Sequence, residues 1–327
     1  MSSELTASIV HSLLSRNIPE LNYSTFIREV AIFPNGVRAV LTKGTLSVDD
    51  LGRSEKVHER KAMPPDYQTI DDDEKVVLKT INPDFARKAD PERQRKLLQY
   101  FEREAGIWRL TSGHPNILKL YGFVRITGQI FPSLVSPYLG DGDLRLFVEG
   151  SDYVSLPARQ RLKLMCDIAR GISFLHNLSP IIVHRDIRAS NALVRREAEG
   201  FSAVLIDFGS AKLSDSNLFS ILRSTYSSSK AWSPPEYILD PEQYTNPATH
   251  GDIWSLACTC IEVFTTKDPY RGCDAEDALK NGQIPDRPSV IKDATWDFLQ
   301  SCLSFLPTER PDAGTAVSKL EDLAAIA

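Results

Sequence analysis

Residues 183–194 read VHRDIRASNALV, which sets Asp186 five positions ahead of Asn191, with Arg185 and Arg188 on either side of the aspartate. Carboxylate, amide and guanidinium groups this close in the chain are the residue types of acid–base and charge-stabilising chemistry. The tripeptide His184-Arg185-Asp186 alone is a weak signal, since a helix end with solvated charges would look the same. Its flanks argue against that plain reading. Pro180, Ile181, Ile182 and Val183 lead in, and Ala192, Leu193 and Val194 lead out. Polar residues between two short apolar runs predict a tight loop on a buried scaffold, where functional groups are held. Thirteen residues after Val194, the stretch LIDFGSA places Asp207 at the end of another apolar run, followed by Phe208 and Gly209.

The elements that must carry these loops change character along the chain. Residues 1–24 read as a short amphipathic helix and a linker, and residues 25–44 alternate strand and turn. Residues 45–74 are polar and mixed in charge, with Pro64, Pro65 and a run of acids, and read as an insertion between strands. KVVLKTI is a strand. In ADPERQRKLLQYFEREAGIWRL, Asp90 is the expected N-cap, Pro91 the first helical residue, and Leu97, Leu98, Phe101 and Trp108 one face. Strands follow around ILKLYGF and PSLVSPYL. From Asp143 onward the pattern is mostly helical. A β-rich first part and a helix-rich second part predict an α+β fold of two unlike lobes with a cleft between them.

Bulk properties narrow the function classes. The 327 residues suffice for two lobes with a sizeable core, and a net charge of −5 points to neither nucleic acid nor an acidic membrane as partner. No apolar run approaches the ~18 residues of a membrane span, and the N-terminus lacks the basic start and apolar block of a secretory signal. The five cysteines are odd in number and scattered, and Cys258 and Cys260 lie in WSLACTCIEVF, which reads as buried helix and not a zinc site. A cytoplasmic, reducing compartment is the expectation.

The motifs, in this order and spacing, resemble those of eukaryotic protein kinases across residues 25–322. The resemblance implies a bilobal kinase fold: an N-terminal extension (1–24), a small β-rich N-lobe (25–138) and a larger α-helical C-lobe (139–327). It implies ATP and Mg2+ as cofactors and a protein substrate, while the oligomeric state stays unread. Lys79 of VVLK would neutralise the α- and β-phosphates, paired with Glu104, chosen over Glu102 because it lies one turn from both Phe101 and Trp108. Asp186 would accept the proton of the substrate hydroxyl, Asn191 and Asp207 would hold Mg2+, and Arg188 would stabilise the transferring phosphoryl. In the hinge stretch LVSPYL, Ser136 falls at the gatekeeper position, the Pro137 carbonyl would accept from adenine, and the Leu139 N–H would donate to it. Asp143 would hydrogen-bond the ribose or, equally, N-cap the next helix. Leu193 completes the implied nucleotide set. Glu236 of SPPEY would pair with Arg310 of TERPD, Asp252 would cap the turn of the catalytic loop, and His184, Phe208, Trp108 and Leu120 would stack as a spine.

The chain departs from the family pattern at the glycine-rich loop. In FPNGVRAVLTKG only Gly36 survives of the glycines, with Pro34 and Ala39 in place of the others and Arg38 at the tip. Glycines let backbone amides approach phosphate closely, and Val77 and Leu41 further narrow the adenine slot. An active kinase is the first reading. A pseudokinase acting as a binding or scaffolding module is the alternative, and a small-molecule phosphotransferase would need neither Glu236 nor Arg310. Trp232 before SPPE, CLSFLPTERP and the HPNI–KLYG pair resemble the tyrosine-kinase-like group of serine/threonine kinases, whereas Arg188 in HRDIRASN resembles some tyrosine kinases, so tyrosine specificity stays open. The hydroxyl-rich stretch before Glu236 offers Thr225, flanked by Ser224 and Tyr226, as a phosphate acceptor that could pair with Arg185.

Overall fold

Along residues 76–80, Val76, Leu78 and Thr80 are buried while Val77 and Lys79 face the other way, the two-residue period of a strand with one face on a core. The computed structural model describes residues 11–21, 39–47, 73–150, 156–213, 230–240 and 249–327. It divides into two compact units, residues 1–113 with 118–138, and residues 114–117 with 139–327.

The first unit holds a four-stranded antiparallel sheet: β1 (Ala39–Ser47), β2 (Asp73–Ile81), β3 (Gly122–Val124) and β4 (Ser133–Pro137), in the order β1-β2-β4-β3. The β1–β2 ladder continues through Thr45↔Lys75, Leu46↔Glu74 and Ser47↔Asp73, so both strands run into the stretch read from the sequence as insertion. Backbone pairing needs no apolar side chain, which is why composition hid these ends. Of ILKLYGF only the last residues enter a strand, β3. One core cluster joins Leu21, Val76, Leu78, Val124 and Val135. Two helices follow β2: α1 (Pro83–Lys88), capped by Asn82, and α2 (Pro91–Thr111). Asp90 caps α2 by accepting from the Arg93 N–H at 2.8 Å, and Pro91 opens it. Phe101 and Trp108 are buried, while Leu97 and Leu98 are only half-buried toward the helix start. Residues 11–21, read from the sequence as helix and linker, pack onto this unit: Leu13, Ile18 and Leu21 are buried.

The second unit is mainly helical, with α3 (Leu144–Glu149), α4 (Ala158–His176), α5 (Pro235–Leu239), α6 (His250–Thr265), α7 (Ala275–Lys280), α8 (Asp293–Cys302) and α9 (Ala313–Ile326). Helix α6 is buried from Gly251 through Val263, with Asp252 and Glu262 its acidic members in that run. Helix α4 packs against α6, α9 and a hairpin of β6 (Ala192–Glu197) and β7 (Gly200–Leu205). The short strands β5 (Ile182–Val183) and β8 (Lys212–Leu213) pair with each other. Cys258 and Cys260 lie inside α6, where burial pushes both thiols up.

Candidate active site

The residues singled out by their chemistry fall into two sets, one in each unit. In the first, Lys79 Nζ of β2 forms an ion pair with Glu104 of α2; the side chains are 22% and 5% exposed. Trp108 anchors the helix one turn on, its Nε1 donating to the Leu118 carbonyl at 2.6 Å. Ser136 is buried on β4 opposite Val77, and Pro137 lies opposite Val76. The Tyr138 N–H donates to the Lys75 carbonyl at 2.8 Å. Antiparallel pairs alternate between bonded and unbonded, so Val76–Pro137 is an unbonded pair and the missing proline N–H breaks no ladder bond.

In the second unit, β5 delivers the chain to His184 and a buried carboxylate holds it there. Asp252 accepts from the His184 N–H at 2.9 Å and the Arg185 N–H at 2.8 Å, and meets His176 Nε2 at 2.9 Å. Burial pushes the Asp252 carboxyl up, but His176 and the amide donors outweigh it and hold the group below the usual carboxylate range. These bonds fix Arg185 at φ 70°. Such left-handed backbone costs a non-glycine residue about 1–3 kcal/mol and persists where its surroundings over-determine it. Asp207 has φ 66°, and its carboxylate accepts from the Gly209 N–H at 3.2 Å. Strained backbone thus adjoins or includes both loop aspartates. His184 meets the Ile206 carbonyl at 3.1 Å and packs on Phe208 with ring centroids 5.4 Å apart, while Trp108 and Leu120 are buried in the other unit.

Asn191 donates from Nδ2 to the Asp186 carbonyl at 2.8 Å, which leaves Oδ1 as the oxygen its amide can present elsewhere. The Ile206 N–H donates to the Asn191 carbonyl at 3.0 Å, extending the β6–β7 register, so Asn191 and Asp207 sit at the same end of that hairpin. Asp186 Oδ1 is buried and has no hydrogen-bond partner among the described residues. Arg188 Nε, also without a hydrogen-bond partner there, stands 3.7 Å from it. An acceptor buried without a donor costs about 1–3 kcal/mol, and Arg188 is the cation that faces this oxygen.

Asp143 N-caps α3, accepting from the Leu146 N–H at 2.9 Å, and burial raises its carboxyl against the pull of that amide. It also forms an isolated antiparallel bridge with Leu193. Leu139 begins the long stretch of the second unit, and Pro137 ends β4 in the first. Gly36, Pro34, Arg38, Ser224, Thr225 and Tyr226 lie outside the described residues.

The sequence reading missed Glu262. Its buried carboxylate accepts from the Ala189 N–H at 3.0 Å, the Trp232 indole at 2.8 Å and Arg145 at 2.9 Å, joining the loop after Arg188 to the residue before SPPE. Burial pushes this carboxyl up, against those donors. A single acid in the apolar run WSLACTCIEVF was the available signal. A hollow of about 450 Å³ beside Val148, Arg161, Phe264 and Lys267 contains none of the residues above.

Residues 67–320 match the protein kinase domain family. A probable serine/threonine-protein kinase of Dictyostelium discoideum is 27% identical over 246 residues, 75% of this chain and 22% of that protein. Mitogen-activated protein kinase kinase kinase 3 of Arabidopsis thaliana is 31% identical over 204 residues, 61% of this chain and 31% of that protein. The probable serine/threonine-protein kinase drkA of Dictyostelium discoideum is 27% identical over 231 residues, 69% of this chain and 34% of that protein. The chain thus spans between 22% and 34% of the length of these relatives.

Proposed function

We propose, on the premise that this chain belongs to the protein kinase domain family, that it transfers the γ-phosphate of ATP to serine or threonine hydroxyls of proteins. The observation that carries the reading is the buried Asp186 Oδ1, without a hydrogen bond among the described residues and ion-paired at 3.7 Å with Arg188, on a loop fixed by Asp252. Asp186 accepts the proton of the substrate hydroxyl as its oxygen bonds to the γ-phosphorus. The bond from that phosphorus to the bridging oxygen breaks, and ADP leaves with the electron pair. Arg188 steadies the charge on the moving phosphoryl. Lys79, held by Glu104, neutralises the α- and β-phosphates. The Pro137 carbonyl and Leu139 N–H read adenine, Asp143 reaches the ribose with the oxygen that does not cap α3, Leu193 lies against the nucleotide, and Gly36 brings its amide to phosphate. The Asn191 amide oxygen and the Asp207 carboxylate suit a hard cation, and Mg2+ takes few protein ligands alongside substrate phosphates. When bound, it neutralises phosphate charge.

Names of the relatives support serine/threonine specificity, the residues around Trp232 and Arg310 resemble the tyrosine-kinase-like group, and a cytoplasmic setting is part of the same reading. Among the described residues no helix is long and apolar enough to cross a membrane. Labelled Mg-ATP offered to matched serine, threonine and tyrosine peptide pools is expected to label the first two. Label in the tyrosine pool alone would overturn the specificity. The pseudokinase reading is favoured by one observation, the replacement of glycines around Gly36 by Pro34 and Ala39. A melting shift with Mg-ATP but no transfer is its signature.

Ser136 is buried and small, and at the gatekeeper position such a side chain would leave room behind the adenine that a larger one would fill. ATP-site inhibitors carrying a bulky aromatic group are expected to bind the wild type and to lose affinity in Ser136→Phe by steric overlap. Unchanged affinity would mean that the hinge register through Pro137 and Leu139 is wrong.

A further inference from the structure

Helix α2 is buried through five consecutive residues, Glu104, Ala105, Gly106, Ile107 and Trp108. A helix lying on a sheet buries one stripe and leaves the opposite face polar and wet. Here Phe101, Glu104, Ala105 and Trp108 repeat at helical spacing on the face whose Glu104 meets Lys79 of β2, yet Gly106, 200° around the helix from Glu104, is buried too. Its cover comes from residues 11–21, which lie ahead of the residues matched to the kinase family. A Cβ on Gly106 would come within 2.7 Å of Arg16 Nη1, and one turn on Arg109 donates from Nε to the Asn17 carbonyl at 3.0 Å.

The same segment is fastened to the sheet. The Leu21 N–H donates to the Phe123 carbonyl and the Phe123 N–H to the Pro19 carbonyl, each at 2.9 Å. Glu20 makes a parallel bridge with Phe123 and an ion pair with Arg125. Gly122 is what permits this approach: any Cβ there would overlap the Pro19 carbonyl oxygen. Leu13 and Ile18 are fully buried, so the segment has an apolar anchor as well as backbone bonds.

We propose that residues 11–21 are an intramolecular strut that ties α2 to the β3 edge and so keeps Glu104 at Lys79. The catalytic consequence rests on the kinase reading above; the mechanical one does not. The strut residues are positioning residues, acting through Glu104.

Gly122→Ala should displace the Pro19 segment without substituting any catalytic side chain, and Ile18→Asp should detach it by a different route. Amide hydrogen exchange on the full chain reads the mechanical arm: α2 amides around 104–108 should exchange faster in both variants, while α4 and α6 keep their protection. Phosphoryl transfer reads the catalytic arm: kcat should fall about three- to thirty-fold, the range for residues that act through another. Combined with Glu104→Gln, neither variant should add a further loss, because the shared partner is already gone. Unchanged α2 exchange in both variants would overturn the strut whether or not the protein transfers phosphate. Faster α2 exchange with unchanged kcat, or losses additive with Glu104→Gln, would overturn its link to Glu104. Faster exchange in α2 and α6 alike would mean general destabilisation and would also overturn it. A wild type that transfers nothing would count against the proposed function alone, with the exchange result still deciding the strut.

Discussion

Asp186→Asn is expected to lower phosphoryl transfer by about 10²–10⁴-fold, the usual worth of a positioned proton acceptor, while leaving the melting temperature and nucleotide binding close to wild type. Both halves follow from the loop geometry. Asp186 Oδ1 makes no hydrogen bond among the described residues, and Asn191 is fastened to the Asp186 carbonyl, a backbone group that the substitution keeps. Asp252 continues to hold the amides of His184 and Arg185. The variant therefore removes the acceptor and its long ion pair with Arg188, but no hydrogen bond of that oxygen among the described residues. Equal transfer by variant and wild type would remove Asp186 from the mechanism, and a large fall in melting temperature would mean that its carboxylate is structural.

The largest stability effect is expected at Glu236 and Arg310. The two side chains meet through two parallel hydrogen bonds, Nη1 to Oε1 and Nη2 to Oε2, both 2.7 Å, with exposures of 0% for the arginine and 4% for the glutamate. Arg310 also donates to the Ser304 carbonyl at 2.8 Å and the His250 carbonyl at 3.1 Å, and lies over the Trp254 ring. Removing one partner strands a buried charge, so Glu236→Ala or Arg310→Ala should each cost about 3–5 kcal/mol. At ~2–4 °C per kcal/mol for a domain of this size, melting should fall by about 10 °C. Replacing both by apolar residues of similar volume should cost much less than either single change, since neither charge is then left alone. Single variants melting within a degree of wild type would show that the pair carries no net stability.

How far the molecule could be read from its sequence depended on the range of the interaction. Asp90 and Pro91 announced the start of α2 because capping is settled within one turn. The strand-rich and helix-rich halves were legible from periodicity, and Asp252 and the Glu236–Arg310 pair from their motifs. Glu262 was not, because its three donors come from residues 145, 189 and 232, and no local pattern ties these together. His176 escaped for the same reason: its partner Asp252 lies 76 residues on. Residues 11–21 read as a short amphipathic helix and a linker, but their docking was hidden because the anchors Leu13, Ile18 and Leu21 have no regular period, and the reason for Gly122 lies in the Pro19 carbonyl that approaches it. At Asp143 both a capping and a ribose-binding role fit the sequence, and the bond to the Leu146 N–H places the cap.

The central claim, that this chain catalyses phosphoryl transfer, is tested most directly by one measurement. Wild type and Asp186→Asn, matched for melting temperature, are incubated with γ-labelled ATP and Mg2+, and label on protein is counted with and without a chelator. Label on the wild type that the chelator abolishes and that Asp186→Asn lacks is the expected result. No label on the wild type, with a melting shift showing that Mg-ATP is bound, would contradict it and make the chain a nucleotide-binding module.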